Sequence, residues 1–180
     1  MKIKFKNIED ITIKQYREIL PYIEEESFDS KLIIVSKLTE LSIEELKKMK
    51  MVDVNEVYKT ALSILSKDYG YEFSQMKIDN KRYYFYKELD KMDTGMFTDL
   101  YSYTKTNEDI IKNLHIITAI LIRDTRKYNS ETVLARAELF NEKMSITDAL
   151  SVAFFFLNLK ITSLRSTKES LVKQLNQIKK

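Results

Sequence analysis

Cysteine is absent from this chain of 180 residues, histidine and proline occur once each, and glycine occurs twice. Each scarcity removes a class of structure or chemistry. Without cysteine there is no disulfide framework and no thiolate ligand, which fits a reducing compartment. Gly70 and Gly95 cannot furnish the clustered glycines of a P-loop or a dinucleotide fingerprint. Glycine and proline ordinarily make up about 7% and 5% of a chain, and many-stranded sheets depend on them for tight turns. The chain is therefore expected to be mostly helical. Long apolar runs are missing as well. MKIKFKNIEDI lacks the apolar core of a signal peptide, and VAFFFL is far short of the roughly 20 residues of a membrane span. The expectation is a soluble protein with no membrane contact.

What is present suits a globular domain. Hydrophobic residues make up 44% and charged residues 32%, with a net charge of +3. Such a chain can bury a real core. Lys2 to Lys6 alternates, with Ile3 and Phe5 on one side, and reads as a short strand. Thr12 and Gln15, then Ser42 and Glu45, have the spacing of capping boxes that open helices. Between them, Ser27 or Asp29 starts a helix carrying Leu32, Ile33, Val35 and Leu38. Asp53 to Ser66 continues helical. The stretch YGYEFSQMKIDNKRYYFYKEL holds two alternating runs around Asp79–Asn80, a β-hairpin signature near residues 71–87. A lone hairpin is marginal in water, so it should pair with the N-terminal strand or lie on helices. Helices are then expected at about 94–104, 108–123 and 131–142, followed by a long one from Ser145. The fold class is mainly α: a compact multi-helix domain with one small β-hairpin and a long C-terminal helix.

Catalytic chemistry has little to work with. His115 lies in NLHIITAILI, on a helix apolar around most of its circumference, beside Ile111, Ile117 and Ile122. No second histidine or cysteine can join it in a zinc site. Nothing resembles the strained G-x-S-x-G turn of a serine hydrolase. Glu24-Glu25-Glu26 and the pair Asp90/Asp93 are most simply solvated, since an oxygen-ligated cation needs several converging carboxylates. Neither catalytic nor metal-binding residues are assigned, no cofactor is implied, and an enzyme is not expected.

Two features suggest binding. Seven of the 11 tyrosines fall between Tyr69 and Tyr103, and Lys81, Arg82 and Lys87 flank RYYFY. Basic groups among stacking rings form single-strand nucleic-acid platforms. The plainer alternative places Tyr83 and Phe85 on the core and Tyr84 and Tyr86 on the other face. With a net charge of only +3, nucleic acid is the lesser expectation. The stronger feature is the C-terminal seam, where Leu150, Ala153, Leu157, Ile161, Leu164, Leu171, Leu175 and Ile178 keep a helical spacing interrupted at Lys168. A helix from Ser145 to the end would run to about 50 Å, more than a body of this size covers. Residues 160–180 hold six basic groups against one acid, net +5, leaving −2 for residues 1–159. The chain thus divides into a body, 1–159, and a helical arm, 160–180. Leu157, Ile161, Leu164, Leu171, Leu175 and Ile178 are the candidate partner-binding residues, through helix-in-groove packing or self-association. The alternative is an arm folded back on the body. Phe154, Phe155 and Phe156 cover nearly the whole circumference of their helix, so that stretch is assigned to the core.

The order of segments is also familiar. TIKQYREIL, LSIEELKKM and an aromatic hairpin precede DKMDTGMFTDLYSYTK, NEDIIKNLHIITAILIRDTRKYN and ALSVAFFFLNL. With T-G-x-F-x-D-L at Thr94 to Leu100, the following N-L-H-x-I helix and an I-R with a nearby tyrosine, the chain resembles a family of phage proteins. These are the small α-helical tail-assembly and baseplate-hub chaperone-like proteins of tailed bacteriophages, including phages of gut Bacteroidetes. The resemblance spans roughly residues 8–160. It implies a non-enzymatic protein that binds other phage tail or virion proteins, located in the host cytoplasm and the assembled virion. It carries over no catalytic residue.

Overall fold

A computed structural model describes residues 3–25, 27–65, 73–88, 91–125 and 127–157. The helices begin where side chains can satisfy their first free amides. Helix α1 (Ile13–Glu24) opens on the Thr12 and Gln15 capping box, with reciprocal bonds of 3.3 and 3.2 Å. Pro21 falls inside it and forfeits one backbone bond, and the helix ends at Glu24. Ser27, rather than Asp29, caps α2 (Phe28–Leu38) by accepting from the Ser30 amide. The Ser42 and Glu45 box opens α3 (Ile43–Lys47), and α4 (Met51–Leu65) follows. Leu32, Val35, Leu46, Val54 and Val57 close a small cluster among α2, α3 and α4.

The expected hairpin forms from β1 (Gln75–Ile78) and β2 (Lys81–Phe85). Asp79 and Asn80 carry φ of 48° and 65°, the left-handed geometry that a two-residue hairpin loop needs. Asp79 also meets Lys143 at 2.5 Å, which ties the hairpin tip to α8 (Val133–Lys143). The hairpin does not pair with the N-terminal segment. Phe5 makes a single bridge to Thr39, and Lys6 donates to the Leu38 carbonyl, so residues 3–6 run along the end of α2. A third strand, β3 (Ile122–Arg123), takes the place expected for that segment and pairs antiparallel with β2.

That strand comes from the end of the helix expected at 108–123. The helix is interrupted at Asn113, where φ −102° and ψ 17° depart from helical values: α6 (Asn107–Lys112) ends there and α7 (Leu114–Leu121) follows. A capping box between Thr106 and Asp109 opens α6. Seven of the eight α7 side chains are buried. Ile122 and Arg123 then serve the open edge of β2 rather than a further turn of helix. Helix α5 (Thr94–Tyr103) precedes this pair, and α9 (146–157) follows α8. Mutual backbone bonds join the starts of α1 and α9, Ile13 to Met144 and Ile146 to Ile11.

The main core gathers residues of α1, α2, α5, α7, α8, α9 and the inner face of the hairpin. Tyr83 packs edge-on to Phe140 and Phe85 to Phe155, while Tyr84 stays 50% exposed. The hairpin therefore divides Tyr83 and Phe85 from Tyr84 as its alternation indicates, whereas Tyr86, expected on the outer face, is half-buried and packs against the main core. Of the phenylalanine triplet, Phe155 and Phe156 are half-buried and Phe154 is exposed, so two sides of α9 are covered and one is open. The fold is mainly α with a small antiparallel sheet. Among the described residues, no helix is long and apolar enough to cross a membrane.

Candidate functional site

Helix α5 holds the first candidate surface. Asp93 caps it by accepting from the Met96 amide at 2.8 Å, and Met96 and Leu100 anchor it in the core. Asp99 accepts a short hydrogen bond from the Tyr128 hydroxyl. At Gly95 a Cβ would lie 3.4 Å from Asp93 Oδ1 and 4.0 Å from Tyr128 Cε1, contacts that a methyl group tolerates. With its buried side fixed, α5 turns Phe97 and Tyr101 outward. They sit one turn apart with rings stacked at 6.2 Å and 17°, and each is 60% exposed. Large rings held on a fixed helix present apolar area at little entropic cost, which is what anchor residues at protein interfaces do.

The second candidate is polar. Two arginines that interrupt the apolar sequence, Arg123 and Arg136, are both buried. Arg136 donates through Nε to the Ala119 carbonyl at 2.8 Å and through Nη1 to Thr132, and lies 3.9 Å from Asp124. Its Nη2 is buried without a partner. Asp124 also takes the Lys81 ammonium, and that ammonium holds its carboxyl below the usual range. Arg123 is arranged differently. Its guanidinium lies 4.4 Å from the Tyr86 ring centre and 5.8 Å from that of Tyr128. Burial lowers the pKa of both arginines, yet guanidinium remains charged. Arg123 and Asp124 line a cleft of about 480 Å³ with Tyr84, Phe85, Tyr86 and Thr125.

His115 is buried in α7. Burial first, and the Arg17 charge second, push its pKa down to about 4, so the ring is neutral near pH 7. Among the described residues its Nδ1 has no hydrogen-bond partner. The orienting carboxylate that a catalytic imidazole uses is therefore missing at that nitrogen. The break at Asn113 places Ile111 on α6, 46% exposed, while Ile117 and Ile122 are buried. Among the described residues, no three histidine, aspartate or glutamate side chains converge as a metal site.

No family model, curated protein or solved structure matches this chain. Any functional reading therefore rests on its own residues. Of the seam assigned to partner binding, Leu157 is half-buried against the main core. Ile161, Leu164, Leu171, Leu175 and Ile178 lie outside the described residues, as does the arm at 160–180. In the tyrosine-rich hairpin, Arg82 and Tyr84 are exposed, and Lys77 pairs in register with Arg82.

In the sequence, Phe97, Arg123 and Tyr128 entered only as motif residues of the resemblance, Tyr101 only as one of the clustered tyrosines, and Arg136 not at all. Three of these left a further sequence signal. Phe97 and Tyr101 are a ring pair at i, i+4, about 100° round the helix from the anchors Met96 and Leu100. Arg123 ends a run of apolar residues with a charge, where a solvent-facing residue would ordinarily be preceded by a polar one.

Proposed function

We propose that this chain is a non-enzymatic bacteriophage protein that binds other tail or virion proteins during particle assembly, as a tail-assembly chaperone-like protein or a small virion component. The resemblance at Thr94 to Leu100 supports the phage setting. The observation that carries the docking role is the stacked, exposed Phe97–Tyr101 pair on a helix whose other side is fixed by Asp99, Met96 and Leu100. The C-terminal seam from Leu157 to Ile178 supplies a second contact or self-association, with its basic residues favouring an acidic partner. The host cytoplasm and the assembled particle are the proposed locations.

The test is co-purification with the other products of the same phage. Phe97→Ala with Tyr101→Ala should weaken capture of a tail or virion protein by at least about tenfold, since an anchor residue contributes about 2 kcal/mol or more. The melting temperature should hardly change. Deleting residues 162–180 should weaken it further and leave the body folded. Full capture by both variants would refute the docking role.

A second reading is a nucleic-acid-associated module. Arg82 and Lys77 share register on the hairpin, and Tyr84 stands exposed beside Arg82. Binding through phosphate contacts should fall steeply with salt, whereas apolar docking should not. A salt titration of the captured complex separates the two.

A further inference from the structure

Arg123 has an unusual environment for a buried cation. It is 4% exposed, and its guanidinium lies 4.4 and 5.8 Å from the ring centres of Tyr86 and Tyr128. Among the described residues it has no hydrogen-bond acceptor and no carboxylate within 4.0 Å. Ring faces attract the cation but accept none of its strong N–H bonds. The neighbouring cations are already committed: Lys81 and Arg136 both face Asp124, and Arg136 also bonds Ala119 and Thr132. Arg123 instead lines the cleft of about 480 Å³ between the end of β2 and residues 123–125.

We propose that this cleft receives a carboxylate side chain from an acidic segment of a protein partner, bound edge-on by Arg123 beside Tyr86 and Tyr128. Ring faces satisfy none of its N–H groups, and the fork of parallel N–H donors along one guanidinium edge matches a planar carboxylate with two parallel bonds. Charge favours a single anion over a phosphate. Asp124 forms part of the cleft wall, Asp93 acts on Arg123 through space, and Asp99 holds the far side of Tyr128. A dianionic phosphate would bring a second negative charge against these carboxylates. Tyr84, half-exposed at the rim, offers a hydroxyl beside the incoming group. The source of the carboxylate rests on the docking role proposed above; the cleft's preference does not.

The experiment is titration of the intact protein with a hexaglutamate peptide blocked at both ends. Inorganic phosphate and a short oligothymidylate serve as parallel ligands. Wild type should bind hexaglutamate, and phosphate should compete poorly. Arg123→Lys keeps the charge but loses the fork, and should weaken binding by at least about tenfold. Thr125→Glu adds a negative charge at the rim without touching a buried group, and should weaken binding to a similar degree, so the test stands even if Arg123→Lys fails to fold. Absence of hexaglutamate binding, equal binding by a folded Arg123→Lys and by Thr125→Glu, or tighter binding of phosphate or oligothymidylate would each overturn the proposal. All are read on the isolated protein, so they leave the co-purification result for Phe97 and Tyr101 separate.

Discussion

Replacing His115 with glutamine removes the one imidazole while keeping a side chain of similar length and polarity. In the folded protein, burial and the Arg17 charge hold the His115 pKa at about 4, against about 6.5 in the unfolded chain. Between these values the unfolded chain binds a proton that the folded chain refuses. The histidine contribution therefore falls as the pH drops below about 6.5 and levels off below about 4. At about 1.4 kcal/mol per pH unit, the loss reaches about 2 kcal/mol at pH 5 and about 3 kcal/mol at full protonation. His115→Gln should be flatter across this window. The other shifted groups titrate in both proteins: half-buried Asp148 is raised, and Glu18 and Glu45 are lowered. Their effects cancel in the difference. Urea unfolding of both proteins from pH 7.5 to pH 4 gives that difference directly. Parallel stability curves would show that His115 is solvated or paired in the folded state. A drop in partner capture with stability intact would show that the ring has a functional role and that its assignment to packing is wrong.

Three further outcomes are expected. Tyr128→Phe and Asp99→Ala each break the bond between Tyr128 and α5, and should cost about 1–3 kcal/mol. The double variant should cost less than the sum, as measured by a double-mutant cycle in urea. Asp79→Gly preserves the left-handed turn and loses the Lys143 pair, so it should cost at most about 1 kcal/mol. Asp79→Val forces a β-branched residue into φ 48° and should lower the melting temperature much more. Ser42→Ala removes the acceptor of the α3 cap and should cost about 1 kcal/mol by thermal melting, with partner capture unchanged.

The amino-acid order by itself determined what depends on neighbours a few residues away. Thr12 with Gln15 and Ser42 with Glu45 open helices because a hydroxyl and an amide or carboxylate can reach each other's backbone N–H across one turn. Asp79–Asn80 makes the hairpin because these residues tolerate positive φ, and the alternation beyond them divides Tyr83 from Tyr84. In α2 the helical periodicity placed Leu32, Val35 and Leu38 in the core but took half-buried Ile33 where Ile34 is the buried one. Only the tertiary structure decided the rest. The break at Asn113, the use of Ile122–Arg123 as a strand and the reduction of the N-terminal strand to one bridge depend on which edge and which core face are free. The two candidate surfaces are of the same kind. Asp99 and Tyr128 are 29 residues apart, and Arg123 meets Tyr86 across the sheet. No local period encodes such contacts: they arise when packing brings distant segments together, and the same packing leaves Phe97 and Tyr101 on the outside.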